Sequence, residues 1–522
     1  MKKRITRGLI ALFAIVMCAA TVQAQNPTSG TTGSLTWKYD TGTKTLTISG
    51  KGEIKGKVEI TEKTPWNAFK ETTTNLVIEE GVTSIGGNVF QEFTALISVT
   101  FPKSLTKILA LAFDGCNKLP SVNFPDSMEQ IGYLAFNECE SLTSVELPKN
   151  LSLLAGSAFR NCVSLTSVTI PAGVKRIIPS AFEGCKKLST ITVEAGNPNY
   201  VSEDGLLFNK AKTTLVLYLA GREGTTFTIP SGVTAIGSLA FGYCELIEVK
   251  IPAGVKDIDA SAFSNSKKLS AVTVDAGNAD YTSAEGVLFD KAKKTLVRYP
   301  EGKTGTAYAI PAGVTNIEEA AFLNCSKLTT VTIPVGVKKI GSYAFACSGL
   351  SSVAIPAGTD TISDGAFGDC WNLASVTLPS SVKEIRSTAF YGCKNLKSLT
   401  VGAKTPPAIR DKYVFWEVPV ANVTLTVPKG SKAAYEMAPV WKEFKQIAES
   451  TVANAAVPEA RIYAAEGLVY IALPQAATVR IYSLNGVLVR SLTAPAGQTT
   501  VALPSGVYIV RTGERTEKVL VD

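Results

Sequence analysis

Nine cysteines recur at repeating intervals through the middle of the chain, and they are the first candidates for chemistry. They are Cys116, Cys139, Cys162, Cys185, Cys244, Cys325, Cys347, Cys370 and Cys393. Ser266 takes the same place in a copy that lacks the thiol. If the copies stack in register, these side chains form a column. The column has three interpretations: buried, unpaired thiols that serve as small core residues, disulfides between neighbouring copies, or a metal site.

Geometry and ligand chemistry favour the first interpretation. Parallel side chains suit the dihedral angle of a disulfide poorly, and nine thiols cannot all pair with one another. A structural zinc site draws on C-x-x-C pairs or on histidine, and this chain contains neither. We therefore expect no metal at the cysteines.

The lack of histidine also narrows the possible catalytic chemistry. It excludes Ser-His-Asp and Cys-His arrangements. Carboxylates remain, but they fall singly on loops. The nearest to a pair is Glu318-Glu319, and adjacent residues on an extended chain point in opposite directions. We predict a protein that is not an enzyme and has no catalytic residue and no cofactor.

The cysteines belong to a longer repeat, best seen between Leu165 and Leu188 as LTSVTIPAGVKRIIPSAFEGCKKL. Each copy offers a leucine, a V-x-I or V-x-L pair, a V-x-x-I pair and then Ala-Phe. The marker phenylalanines are Phe90, Phe113, Phe136, Phe159, Phe182, Phe241, Phe263, Phe322, Phe345, Phe367 and Phe390. Most steps between markers are about 22–23 residues long, and a fixed period of this size predicts a solenoid. The steps from Phe182 to Phe241 and from Phe263 to Phe322 are longer, and equal to each other.

The spacing of apolar residues predicts how each coil is built. The V-x-I segment is typical of a short strand, and strands from successive coils should stack into a parallel sheet. A second wall should form from pairs such as Val174 and Ile177, with the marker phenylalanine filling the space between the walls. The fold class is thus mainly β, a solenoid of about eleven 22–23-residue coils with two strand-pair insertions, followed by a small C-terminal β-sandwich.

The two long steps contain matched insertions, at residues 196–230 and 277–311, which align position by position from Gly196 and Gly277 onwards. Alternating apolar residues around turns predict a strand pair in each. Insertions of a solenoid map to one face, often the binding face. We select their aromatic and basic residues as candidate partner-binding residues: Tyr200, Tyr218, Arg222, Tyr281, Arg298 and Tyr299. The alternative is that these side chains pack each insertion onto its coil.

The outward-facing positions of the predicted strands lack the residue types that protein interfaces usually concentrate. They carry mainly serine and threonine, as at Ser144, Ser167 and Thr190, and protein interfaces concentrate Trp, Tyr and Arg instead. Two interpretations remain for these outward serine and threonine residues: a solvated β surface, or a broad and weak polar contact surface. Basic residues on the second wall, such as Lys175-Arg176, serve either solubility or a salt-sensitive contact with acidic partners.

The N-terminal segment predicts export. Residues 1–24 combine a basic start, an apolar run and Val22-Gln23-Ala24 before a cleavage point, which is typical of a signal peptide. Cleavage at Cys18 with lipidation is the alternative, and Met17 suits it poorly. The apolar run is too short to span a membrane, so we expect no transmembrane segment after signal removal. Without its four basic residues the net charge falls from +8 to +4, which does not favour nucleic acid.

The remaining boundaries follow from changes in pattern. We predict an N-terminal cap at 25–75, repeats at 76–401, a C-terminal cap at 402–449, a small-residue linker at 450–458 and a β-sandwich at 459–522. In the last domain Asn485-Gly486 lies between alternating apolar runs, which is a strong hairpin signal.

The repeat A-F-x-x-C-x-x-L-x-x-V-x-I-P-x-x-V-x-x-I resembles the BspA-type leucine-rich repeat family over residues 31–449. The resemblance implies a curved, non-catalytic solenoid, in a family of surface or secreted proteins of anaerobic bacteria and some protozoa, several of which bind host matrix proteins. Residues 459–522 resemble the C-terminal sorting domain of type IX secretion, through Val479-Arg480-Ile481-Tyr482, Asn485-Gly486 and Gly506-Val507-Tyr508. Asp522 ends the chain where a basic residue is more usual.

Together these features predict a secreted or cell-surface protein-binding solenoid. Its function would be that of an adhesin, contacting host matrix or other extracellular surface proteins, displayed on the outer surface of a Gram-negative bacterium. The alternative is a glycan- or envelope-binding scaffold. Binding to matrix proteins but not glycans would favour the first, and the reverse the second.

Overall fold

The computed structural model describes residues 27–56, 63–450, 461–465, 468–473, 477–494, 497–512 and 515–521. The predicted signal peptide and nearly all of the predicted linker lie outside these residues. Within them the chain forms a β-solenoid of about 16 turns and, after residue 460, two small antiparallel sheets. None of the helices in the described part of the chain is long and apolar enough to cross a membrane.

The V-x-I segments form the first wall of the solenoid, as predicted. Val168 and Ile170 are buried, whereas Thr169 between them is partly exposed, because side chains alternate across a strand. Within each sheet of this wall, neighbouring strands pair in parallel and in register. The first-wall strands are Asn75–Ile78, Ser98–Thr100, Ser144–Glu146, Ser167–Ile170, Thr190–Val193, Thr226–Thr228, Glu248–Ile251, Ala271–Val274, Ala307–Ala309, Thr330–Thr332, Ser352–Ala354, Ser375–Leu378, Ser398–Val401, Thr424–Val427 and Gln446–Glu449.

The V-x-x-I pairs form the second wall from shorter parallel strands. Ile177 of one coil pairs with Leu154 of the preceding coil, and both are buried. The second-wall strands are Gly52–Ile54, Val82–Ile85, Lys107–Ile108, Gln130–Ile131, Leu153–Leu154, Arg176–Ile177, Thr214–Tyr218, Ala235–Ile236, Asp257–Ile258, Thr295–Arg298, Asn316–Ile317, Lys339–Ile340, Thr361–Ile362, Glu384–Ile385 and Ala408–Ile409.

A column of aromatic rings fills the space between the walls. Successive rings stack, as in Phe113 and Phe136, whose centroids lie 5.2 Å apart with an interplanar angle of 2°. The solenoid has more turns than the eleven predicted, because four other aromatic residues extend the column in coils that lack the Ala-Phe motif. They are Trp66, Tyr218, Tyr299 and Phe415, which stack on Phe90, Phe241, Phe322 and Phe390.

The insertions divide this column and the core around it. Ring stacking runs in three segments, from Trp66 to Phe182, from Tyr218 to Phe263 and from Tyr299 to Phe415. The buried apolar residues of the solenoid form three clusters with nearly the same limits. Each insertion is therefore the start of a new packing segment.

Each insertion contains the predicted strand pair and, after it, one further coil of the solenoid. The antiparallel hairpins are Tyr200–Glu203 with Leu206–Asn209, and Tyr281–Ala284 with Val287–Asp290. The next strand of each insertion, Thr214–Tyr218 or Thr295–Arg298, pairs antiparallel with the second strand of the hairpin on one side and parallel with the second wall on the other.

Both ends of the solenoid are covered. At the N-terminus the strands Ser29–Thr32, Leu35–Asp40 and Thr45–Gly50 form an antiparallel sheet, whose last strand pairs in parallel with the first coil. At the C-terminus the helix Lys432–Met437 contributes the buried Tyr435, which packs edge-on against Trp441. The 3-10 helices are Asn67–Phe69, Pro179–Phe182, Lys412–Phe415, Val420–Asn422 and Trp441–Glu443.

The C-terminal region folds as two sheets around one core. One sheet contains Arg461–Ala465, Leu468–Leu473 and Gly497–Ala502, and the other contains Ala477–Ser483, Leu488–Ala494, Gly506–Thr512 and Arg515–Val521. Val469 and Ile471 of the first share a buried cluster with Val479 and Val510 of the second. The arrangement is a small β-sandwich, in which Asn485-Gly486 connects two antiparallel strands.

Candidate binding surfaces

The cysteine column is part of the core. All nine described cysteines are unpaired, and eight of them are buried. Most thiols of this column, which we call the ladder, donate to the carbonyl oxygen of the marker residue one coil earlier. Cys162 Sγ donates to Phe136 O at 3.2 Å, and Ser266 Oγ donates to Phe241 O in the same way. Burial raises the pKa of the Cys139 and Cys162 thiols, and that of Cys370 to about 11, which suppresses the reactive thiolate.

Cys347 does not belong to the ladder, contrary to the prediction. Ladder residues follow their marker by three positions, whereas Cys347 follows Phe345 by two. Ser348 takes the ladder position instead, with its Oγ 3.3 Å from Cys370 Sγ. Cys347 occupies the preceding turn position, where φ is 54°, and is partly exposed. Several other coils have glycine or asparagine at that position, as at Gly184 and Asn161, and others have residues such as Glu138 and Tyr243.

Three of the six candidate residues of the insertions are buried. Tyr218 and Tyr299 are each 3% exposed because they serve as column rings, and burial raises the pKa of the Tyr299 hydroxyl to about 12. Arg298 is 2% exposed. These three side chains are not accessible to a partner, so the packing alternative applies to them.

Arg298 forms a buried ion pair at the second insertion. Its Nη2 lies 2.7 Å from Glu301 Oε1, and its Nη1 donates to Ala320 O in the next coil. Glu301 Oε1 also accepts the backbone N–H of Asn265, 2.7 Å away. Burial raises the pKa of Glu301 although Arg298 opposes this. The pair thus joins coils on both sides of the junction.

The other three candidates are only partly buried. The Tyr200 hydroxyl accepts the backbone N–H of Ile177 at 3.0 Å, which ties the first hairpin to the second wall. Tyr281 packs against the middle core cluster. Arg222 lies over the Tyr218 ring at 5.6 Å, and its counterpart in the second insertion is Lys303, 5.9 Å from the Tyr299 centroid, rather than Arg298. All three have packing roles, and part of each surface faces solvent.

The outward Ser/Thr positions form continuous rows. Ser144, Ser167 and Thr190 pair in register across three strands, as do Ser375, Ser398 and Thr424. Their side chains are exposed or partly exposed. The rows present a wide polar surface, and the rigid core lies directly beneath it.

A cluster of exposed and partly exposed aromatic side chains, which was not predicted, lies near the C-terminal cap. It comprises Trp371, Tyr391, Tyr413 and Trp416, and we call it the turn aromatic patch. Trp371 is 62% exposed, Trp416 48% and Tyr413 46%, and the Tyr413 and Trp416 rings lie 5.6 Å apart. These residues sit beside the markers of three successive coils. A signal was available for Trp371, Tyr391 and Trp416, because each replaces a mostly small or polar residue at its turn position.

The repeat architecture and its sequence agree with a known family. The sequence matches six copies of the BspA type Leucine rich repeat region, at residues 62–189, 220–295 and 302–417. The chain belongs to this family. The BspA-type repeats thus cover both flanks of each insertion, and the coils built on Tyr218 and Tyr299 continue the same solenoid.

Solved structures of other leucine-rich repeat proteins are similar to this BspA-type chain. A leucine-rich repeat protein from Eubacterium ventriosum is 23% identical over 69% of this chain and 93% of its own, with a TM-score of 0.46. A leucine rich cell surface protein from Faecalibacterium prausnitzii is 24% identical over 78% and 97%, with a TM-score of 0.38. The pneumococcal vaccine antigen PcpA is 18% identical over 81% and 99%, with a TM-score of 0.39. No curated protein matches the sequence significantly.

Within the described residues no group of three or more Cys, Asp or Glu side chains is placed to hold a metal ion. The exposed features of that part of the chain include the polar rows, the partly exposed residues of the insertions and the turn aromatic patch.

Proposed function

We propose that this BspA-type protein is a non-enzymatic adhesin, which binds host matrix proteins or other cell-surface proteins. The observation that carries the proposal is the outward polar surface of the first wall, whose strands pair in register within each of its sheets. Its side chains stand in register over successive coils, and the rigid ring column supports them from within. A wide, preorganised surface suits a macromolecular partner, because little conformational entropy is lost on binding.

The proposed location is the outer surface of a Gram-negative bacterium. Family membership supports a surface protein, and the basic and apolar start of the sequence supports export. The C-terminal β-sandwich, with its Asn485-Gly486 hairpin, supports a sorting domain of the type IX kind. The exposed parts of Tyr200, Arg222 and Tyr281 remain candidates for a secondary contact beside the polar rows.

The test is a binding screen with residues 25–522. The purified protein is applied to immobilised matrix proteins and, in parallel, to an array of glycans. We expect saturable binding to at least one matrix protein and none to the glycans, measured by surface plasmon resonance. The heat-unfolded protein is the control for non-specific adsorption. Binding to glycans alone would favour the scaffold alternative, and binding to neither panel would contradict the adhesin.

A further inference from the structure

We propose that the C-terminal β-sandwich contacts an anionic lipid surface through one end of its four-stranded sheet, and that this surface is the outer membrane of the cell that exports the protein. The contact is peripheral and does not span the membrane. It goes beyond the proposed function, in which the sandwich has a sorting role only. The choice of the exporting cell's membrane rests on the proposed location.

Exposed aliphatic side chains are concentrated at this end of the sandwich. Eight leucine, isoleucine and valine side chains of the described residues are exposed, and five of them lie in the sandwich: Leu484, Val487, Leu488, Val489 and Leu520. The first four flank the turn Asn485-Gly486, and we call them the hairpin tip. Apolar surface that is grouped in this way marks a contact with a membrane or with a protein.

The shape of the hairpin tip favours a membrane. Exposure alternates along a strand that packs on one face. At the start of the strand Leu488–Ala494 it does not alternate, because Leu488 is 51% exposed and Val489 44%. This strand is also the edge of its sheet and pairs with Ala477–Ser483 alone. A flat protein surface would cover one side of such a tip, whereas a lipid layer surrounds it on every side.

The backbone of the turn is hydrogen-bonded within the hairpin. The N–H of Gly486 donates to Ser483 O at 2.9 Å, and the N–H of Ser483 donates to Val487 O at 2.8 Å. The N–H of Val487 donates to Ser483 Oγ at 3.2 Å. An unpaired backbone group is costly to remove from water. The turn can therefore enter the interfacial layer of a membrane and keep these bonds.

A basic row lies behind the apolar end, on the outer face of the same sheet. Arg480 and Arg511 are exposed and stand directly opposite each other on adjacent strands. Like charges in this arrangement destabilise a sheet, so the pair gains from an anion close to it. Two residues nearer the turn on the same strands are Tyr482 and Ile509, and Leu488 pairs with Tyr482.

The spacing of these two rows matches the depth of a membrane interface. Two residues of a strand span about 7 Å. A peripheral element buries its apolar part about 5–10 Å into the headgroup region, so Arg480 and Arg511 reach the lipid phosphates when Leu488 is buried. The other described members of the two rows are not acidic: Ser491, Thr516 and Lys518. The rows therefore favour an anionic lipid surface over a neutral one.

The deciding experiment measures cosedimentation of residues 25–522 with lipid vesicles. One set contains equal amounts of phosphatidylcholine and phosphatidylglycerol. The other contains phosphatidylcholine alone, which imitates the zwitterionic outer leaflet of host cells. We expect binding to the anionic vesicles to be at least about tenfold stronger, and to weaken as salt is raised.

Two double variants test the hairpin tip on the anionic vesicles. V487T/L488T removes apolar side chains of the tip and introduces a residue that suits a strand. The matched control I97T/I247T removes two aliphatic side chains of the solenoid that are 49% and 46% exposed. We expect the tip variant to lose at least about tenfold in binding and the control less than about twofold. Unchanged circular dichroism establishes that each variant is folded.

The basic row is tested by R480Q/R511Q, which should reduce the preference for anionic vesicles by at least about fivefold. Wild-type binding to neither set of vesicles, equal binding to both sets, or equal binding of the tip variant and the wild type would overturn the proposal. A wild-type dimer that V487T/L488T converts to a monomer, without vesicle binding, would assign the tip to self-association instead. Matrix binding is measured without lipid, so the adhesin stands or fails separately.

Discussion

A buried charge in this solenoid depends on its counter-ion, because an unpaired charge is costly to hold away from water. Arg298 and Glu301 illustrate this at the second insertion, where each is 2% exposed in its side chain. Arg298 Nε and Glu301 Oε2 have no hydrogen-bond partner. The first insertion provides an internal comparison, because its corresponding positions are Leu217 and Ala220.

We predict that R298L destabilises the protein by about 3–5 kcal/mol, because Glu301 is left buried without its counter-ion. R298L/E301A, which copies the first insertion, should recover most of that loss, since replacing a buried ion pair by apolar residues is often nearly neutral. Urea unfolding followed by circular dichroism measures both. Equal loss in the single and double variants would show that the charge pairing itself matters little.

For individual residues, the prediction from sequence was correct where the repeat pattern specifies the position and wrong where it does not. The burial of Phe136 and Cys139 followed from their period, because residues one coil apart occupy the same place. Tyr218 and Tyr299 carry the same role without the Ala-Phe motif, so they were assigned to binding instead of packing. The exposure of Trp371 depends on a turn conformation that apolar spacing does not reveal.

At the scale of elements, residues 196–276 form one unit, which contains the first insertion and the coils that follow it. The second insertion starts on the last coil of this unit as the first insertion starts on the coil before it. Asn197 Nδ2 donates to the carbonyl oxygens of Pro171 and Val174, both at 3.0 Å. Asn278 makes the same bonds to Pro252 and Val255, both at 2.9 Å. The second insertion could therefore pack on the coil that now carries the first.

We predict that deletion of residues 196–276 gives a folded, shorter solenoid, because Gly277 then follows Ala195 and Asn278 meets the carbonyls of Pro171 and Val174. Solenoid stability comes from nearest-neighbour contacts, so one whole unit can be removed. Circular dichroism should retain the β spectrum, and the urea m-value should fall with the surface lost.

The matched control is deletion of residues 196–264, which removes a fraction of a unit and leaves the strands out of phase. It should fail to fold cooperatively. If both deletion variants behave alike, the insertions are not interchangeable units. The strands within them were predictable from alternation. The parallel pairing of Thr214–Tyr218 with Ala235–Ile236 was not, because that partner belongs to the solenoid and not to the insertion.

At the scale of the molecule, the chain combines a solenoid with a separate β-sandwich. The architecture was predictable because every coil repeats the same apolar spacing and because Asn485-Gly486 marks a hairpin. The number of turns was underestimated, since coils such as those of Trp66 and Phe415 carry different residues at the marker position. Of the proposed binding surface, the polar rows follow from the period, whereas the exposed parts of Tyr200, Arg222 and Tyr281 do not, because they lie in the insertions.

We predict that deletion of residues 459–522 prevents display on the cell surface, since the sorting role is proposed for the β-sandwich. Protease added to intact cells should degrade the full-length protein and spare the truncated one, which would remain within the envelope. A deletion of 196–276 in the same strain is the control for a shortened but displayed protein. Degradation of the truncated protein at the wild-type rate would contradict the sorting role.

The parallel pairing between adjacent coils has a consequence for how the protein is made. Strand partners such as Ser144 and Ser167 are separated by a single coil of sequence, and the cap sheet that covers the first coil comes before it in the chain. A chain that leaves a narrow channel with its N-terminus first could thus fold vectorially, each arriving coil meeting a finished template. Folding of the emerged part would then oppose backsliding and help to draw the remaining chain across the membrane.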